Sequence, residues 1–151
     1  MRSWNLDGRC RCGQLRIGVT APPLLTMACH CTGCQRMSAS AFSLSAAFPT
    51  ANFSVTEGEA VIGGIHGPAA RHYCCPHCKS WMFTRSEGME WFVNVRPTMF
   101  DDHGWFEPFV ETWTSTKFPW TSTGAVYSFD EFPPLAAYQG LIGEYAQRLP
   151  T

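Results

Sequence analysis

The sequence predicts a mainly β fold of short antiparallel strands, pinned by metal-binding cysteines and ending in a short helix. Three observations predict it. Eight cysteines fall into three tight clusters, and 13 glycines and 11 prolines cut the chain into short pieces. Most pieces favour strand by composition, and few show a helical period. Hydrophobic residues make up 45% of the chain and aromatics 14%, enough for a packed core and too much for a disordered chain. A length of 151 residues fits a single domain, 1–151, able to bury about two thirds of its unfolded surface.

The elements follow in order. Residues 15–19 alternate apolar and other side chains after a Cys-Gly turn. Residues 42–48 and 53–55 are short strand candidates, and 81–83 form another just after the last cysteine cluster. Residues 90–95 end at an Arg-Pro step, and 109–114 are a further β-favouring run. Helix is expected over 31–37 and over 139–149, where Leu141, Ile142, Tyr145 and Leu149 recur at helical spacing. Residues 129–134 form an irregular lead into that tail.

The cysteine spacings are those of metal ligands, and soft thiolates select zinc among common divalent ions. Cys10 and Cys12 stand two apart, so in an extended segment both sulfurs share a face, and Gly13 permits the turn that follows. Cys75 and Cys78 bracket a two-residue knuckle whose bend Pro76 pre-sets. Pairing the two sets makes a closed four-thiolate zinc site that clips distant parts of the chain together. Cys29, Cys31 and Cys34 supply three thiolates from one segment and leave a fourth position open, the arrangement of a catalytic zinc. Cys74 or a histidine could instead close that second site. Cys74 otherwise reads as a small buried spare. His30, between two ligands, is expected to face away from the metal into a hydrogen-bonded or core position. His77 reads as exposed, and His66, His72 and His103 carry no spacing signal.

Net charge is −1 with no basic stripe, which argues against a nucleic-acid partner. No stretch has the length or apolarity of a signal peptide or membrane span, so a cytoplasmic location is expected. Thiols stay reduced there, and clustered cysteines then bind metal more often than they form disulfides. A disulfide framework is the alternative for a secreted chain.

The motifs together resemble a known family. Cys10, Cys12 and Gly13 precede a strand; Cys29, His30, Cys31, Cys34 and Gln35 follow; then come Tyr73, Cys75, Pro76 and Cys78. Arg96, Pro97, Asp101 and Asp102 and a closing Pro119-Trp120 pair complete a pattern over about residues 8–120. It resembles the glutathione-dependent formaldehyde-activating enzymes, a family that includes centromere protein V. The resemblance implies a β-tent fold, a structural zinc on Cys10, Cys12, Cys75 and Cys78, and a catalytic zinc on Cys29, Cys31 and Cys34. Two zinc ions per chain are thus expected, the second being the one that can be lost. The implied activity is that of a carbon–sulfur lyase that joins glutathione, or a similar small thiol, to formaldehyde or a small aldehyde. Lys79 and Ala39 depart from the family pattern, which favours glycine at both places.

For the substrate contacts, Arg36 or Lys117 could meet glutathione carboxylates, though surface charge explains both better, and Ser38 and Ser40 could donate hydrogen bonds or be solvated turn serines. Trp91, Trp105, Trp113 and Trp120 could wall a pocket, but aromatics of a small β protein belong to the core more often. Two other readings compete with the enzyme. One is a non-catalytic zinc module that binds a protein partner or senses thiols; the other is a disulfide reductase that uses Cys75 and Cys78.

Overall fold

The computed structural model describes residues 2–150. In chain order the strands are β1 (Leu6–Arg9), β2 (Arg16–Val19), β3 (Leu25–Cys29), β4 (Ser43–Pro49), β5 (Phe53–Glu57), β6 (Val61–His66), β7 (Ala70–Cys74), β8 (Trp81–Ser86), β9 (Phe92–Val95), β10 (Val110–Thr112) and β11 (Tyr127–Ser128). The helices are α1 (Thr32–Ser38) and α2 (Tyr138–Arg148). A three-stranded sheet is ordered β1-β2-β5, and an eight-stranded sheet is ordered β11-β10-β3-β4-β9-β8-β7-β6.

Alternation along the strands builds the core between the two sheets. Leu6, Ile17 and Val19 from the small sheet meet Phe48, Phe83 and Val95 from the large one. Phe100 and Trp105, from the loop before β10, close the cluster edge-on to Phe48 at centroid distances of 5.7 and 6.2 Å. Each such side chain contributes about 1.5–3 kcal/mol by leaving water. A second cluster forms where α2 lays Leu141 and Tyr145 on Leu25, Phe109 and Val110.

The expected mainly β fold and its C-terminal helix are both present. Residues 129–134 are irregular, as expected. Three things differ. First, β10 lies parallel to both β3 and β11, so the large sheet is mixed. Second, β10 stops at Thr112 because Trp113 turns left-handed, with φ 59°. Third, β1, β3, β6, β7 and β11 were hidden in the sequence. The Cys29 motif masks the end of β3, and β6 contains two adjacent glycines. Gly63 is needed for close approach rather than flexibility: a Cβ there would stand 2.3 Å from the Cys74 sulfur.

Ala39 and Lys79 have φ of 50° and 64°. Both therefore adopt the left-handed conformation that glycine adopts without strain. Ala39 ends α1, where its N–H donates to the Gln35 carbonyl, a left-handed cap of the kind glycine usually fills. Relieving the Cβ strain in Ala39→Gly should stabilise the fold by about 0.5–1 kcal/mol. Urea unfolding would read this directly, and a loss of stability would mean that the cap geometry is not as described.

Candidate functional site

The Cys10 and Cys12 pair sits on the turn between β1 and β2, not in an extended segment as the sequence suggested. The Gly13 N–H donates to the Cys10 carbonyl at 3.1 Å, and Gly13 takes the expected positive φ, 82°. The opposing knuckle lies between β7 and β8. There the Lys79 N–H donates to the Cys75 carbonyl at 3.0 Å, and the Cys78 N–H donates to the Cys75 sulfur at 3.5 Å. The Arg11 N–H donates to Ser80 Oγ at 3.1 Å and ties the two turns directly. The four sulfurs lie within 4.8 Å of one another. Cys10 to Cys12 is 3.5 Å and Cys12 to Cys75 is 3.8 Å, against the ~3.8 Å edge of a tetrahedron with ~2.3 Å zinc–sulfur bonds. The donor set fits a tetrahedral metal ion.

Sheet register builds the second cluster. Cys29 ends β3 and pairs with Ser43 of β4 on one side and Thr112 of β10 on the other. Directly paired residues project to the same face, so two hydroxyls flank this sulfur. The chain then turns into α1. The Cys31 sulfur caps the helix by accepting the Cys34 N–H at 3.2 Å, and the first turn returns Cys34 to the cluster. Sulfurs of Cys29, Cys31 and Cys34 lie within 4.8 Å of one another, and among the described residues no histidine, carboxylate or further cysteine joins them. A hydrogen bond from Cys34 lowers the Cys29 thiol to about 5, against its burial and with help from Thr112 and Cys31. Cys34 is pushed up in return, chiefly by that same bond. Three thiols this close ionise together only around a cation.

His30 points the other way, as expected. It is fully buried, and its Nε2 lies 3.1 Å from a Glu111 oxygen. Glu111 pairs with Ala28 in the β10–β3 register, so it lies on the face opposite Cys29. Burial disfavours its charge, but hydrogen bonds from Thr123, Ser128 and His30 outweigh it and hold the carboxyl below its ordinary range. The tautomer follows: His30 donates Nε2–H to a carboxylate. Gln35 Nε2 adds a bond to the His30 carbonyl at 3.0 Å. The backbone that presents Cys29 and Cys31 is thereby fastened from behind. His77 is exposed, as expected.

A cavity of about 720 Å³ lies beside α1, with Ser38, Ser40, Ser43, Cys74, Trp81 and Arg96 in its lining. Ser43 connects it to the three-sulfur cluster, since it pairs with Cys29 across β3 and β4. Cys74 faces this cavity, away from Cys75, and supplies no ligand to either cluster. Arg36 and Lys117 do not line it; Ser38 and Ser40 do. Nor do the four tryptophans named from the sequence. Trp105 is core, while Trp91 and Trp120 are exposed at 58% and 76%, so packing claims only part of that set. Trp81 and Arg96 take their place, brought in by β8 and the end of β9, a juxtaposition that no local motif signals.

Thr84 organises that wall. Its Oγ1 accepts from Arg96 Nη2 at 3.0 Å and from Trp81 Nε1 at 3.2 Å. Both lone pairs are then used, so its own hydrogen goes to His72 Nδ1, 2.8 Å away. His72 is thus neutral, protonated on Nε2. Its pKa falls to about 4 through burial, helped by Arg96 and His66.

Residues 5–116 match the profile of the glutathione-dependent formaldehyde-activating enzyme family. The chain belongs to this family. A crystal structure of a Rhodobacter sphaeroides protein shares the fold with a TM-score of 0.52 at 19% identity, over 63% of this chain and 87% of that one. No match is found among curated proteins. The family match spans both cysteine clusters and ends before β11 and α2, which pack on β10 and β3. None of the described helices is long and apolar enough to cross a membrane.

Two predictions follow from this geometry. Cys75→Ser should lose one bound metal ion and destabilise the fold by several kcal/mol, because the clip closes a long loop. Cys31→Ser should lose the other ion with little change in stability, since serine keeps the helix cap. Metal analysis paired with thermal melts separates the two. His72 charges more readily unfolded than folded, so its contribution is full above about pH 6.5 and fades as pH falls towards about 4. His72→Asn keeps an acceptor for Thr84 and cannot titrate; its stability should fall less between pH 7 and 4, by up to roughly 3 kcal/mol. Parallel urea curves for the two proteins would refute this.

Proposed function

We propose that this chain is a zinc-dependent carbon–sulfur lyase that adds glutathione, or a related small thiol, to formaldehyde or a small aldehyde. One observation carries the reading: three convergent sulfurs with no fourth protein ligand among the described residues, in a chain that also holds a complete four-sulfur set. The family adds support. In this reading Cys10, Cys12, Cys75 and Cys78 hold a structural zinc, and Cys29, Cys31 and Cys34 hold the catalytic one. Zinc in the open set would hold an incoming thiol as thiolate near neutral pH. The protein's part is orientation. Ser43 and Thr112 fix two of the sulfurs, and His30 with Glu111 holds their backbone. The cavity beside α1 admits the substrates. The thiolate sulfur attacks the carbonyl carbon and a C–S bond forms. The displaced electron pair goes to oxygen, and that oxygen takes up the proton the thiol gave.

An exposed Phe118–Trp120 stack, with centroids 5.8 Å apart, favours the competing reading of a non-catalytic zinc module with a protein partner. Exchange spectroscopy of the glutathione–formaldehyde adduct decides between the two. Metal-loaded protein should speed the exchange, and Cys31→Ser should return it to within background, a loss of at least about 100-fold given what ligand-supporting groups alone cost. Exchange at the uncatalysed rate with both clusters loaded would sink glutathione and formaldehyde as the substrate pair and favour the binding-module reading.

A further inference from the structure

Arg96 is a buried cation without a carboxylate partner. It is 8% exposed, and among the described residues it forms no ion pair with an acid. Its guanidinium lies 3.8 Å over the Trp81 ring. Nη1 donates to the Leu44 carbonyl at 2.9 Å, and Nη2 donates to Thr84. Nε–H is buried with no acceptor. A side chain that merely braced β4 against β8 would be served by the two bonds it makes. No carboxylate would then answer its charge, and one donor would stay unanswered, which is costly in a buried site.

The cavity offers an anion a place beside this charge, while the Nε–H itself stays enclosed. Arg96 lines it, Lys79 stands at its rim, and no aspartate or glutamate is in the lining. The Lys79 ammonium also donates to the Pro76 carbonyl at 2.6 Å, and its left-handed φ of 64° belongs to the Cys75–Cys78 turn, which its own N–H closes onto the Cys75 carbonyl. Ser43, paired with Cys29 across β3 and β4, joins the same cavity to the three-sulfur cluster. The volume, about 720 Å³, lies within the range of small-molecule sites, roughly 300–1,000 Å³.

We propose that Arg96, with Lys79, forms a carboxylate-binding subsite that selects acidic thiols and lays their carboxylate in the cavity while the sulfur reaches the open cluster. The inference deepens the proposed function and rests on it. It also replaces Arg36 and Lys117 as the carboxylate contacts.

Calorimetric titration of the metal-loaded protein tests it with S-methylglutathione, which has no free thiol for the metal, and with its dimethyl ester. The wild type should bind the diacid about 10–100-fold more tightly than the ester, as expected for a charge-assisted hydrogen bond. Arg96→Met should remove that preference. Arg96→Lys keeps the charge without the planar fork and should keep only part of it; it decides the matter if Arg96→Met does not fold. Lys79→Met should weaken the preference by less. Equal binding of acid and ester by the wild type overturns the proposal, as does a preference that survives at Arg96→Met, or at Arg96→Lys undiminished. Glutarate separates this inference from the functional reading. Arg96-dependent glutarate binding without any binding of S-methylglutathione would keep the subsite and sink glutathione as substrate. No binding of either probe would overturn the subsite itself.

Discussion

Four sulfurs drawn from two turns far apart in sequence meet at one corner of this fold, and most of the rest depends on that meeting. Cys12 and Cys75 are 63 residues apart in sequence, yet their sulfurs are 3.8 Å apart. Thiolates at such distances repel unless a cation lies among them, so the corner is stable only when the charge is answered. Once it is, the β1–β2 turn of the small sheet is fixed against the β7–β8 turn of the large one. The apolar faces of the two sheets then stand opposite each other. Lys79 and Ser80 follow Cys78 directly, so the same corner sets one rim of the cavity. A single cross-link thus constrains core, sheet pairing and pocket together.

The second cluster depends on register rather than on chain closure. Side chains alternate along β3, so the strand does two different jobs at its end. Cys29 falls on the face where Ser43 and Thr112 project. Ala28 and His30 fall on the other, where Glu111 waits. A slip of one residue would exchange the two sets and place a buried carboxylate against the sulfurs. The His30–Glu111 bond, both members buried, guards against that slip by penalising any register that unpairs them. The polar network behind the strand is therefore part of what keeps the sulfurs convergent.

This division explains what could be read in advance. Metal knuckles are local: ligand spacing, the proline of one turn and the glycine of another all lie within a few residues. Both cysteine sets, the outward turn of His30 and the two helices were legible for that reason. The short β6 was not, because Gly63 and Gly64 serve contacts with Cys74 and Met37 that only the folded chain defines. Parallel pairing of β10 with β3 was equally hidden, since nothing in a three-residue strand declares its direction. Arg96 was the largest omission. Its Arg-Pro step reads as a strand end, and its charge acquires meaning only when Trp81, Thr84 and the cavity arrive from elsewhere.

Charge balance links the two halves of the site. Three thiolates around one divalent ion leave a single negative charge, and an incoming thiolate adds another. In the proposed reaction, a cluster in that state would repel the thiolate it has to accept. Arg96 is the fixed positive charge on the cavity side; burial pulls its pKa down to about 10, and Cys34 and Cys29 act the other way. A guanidinium stays protonated under all ordinary conditions, so its compensation does not depend on pH. Burying it is expensive, and Trp81 and Thr84 offset only part of that cost. The arrangement makes physical sense if the remaining stabilisation comes from anions on both sides: the sulfur cluster always, and a carboxylate when the cavity is filled.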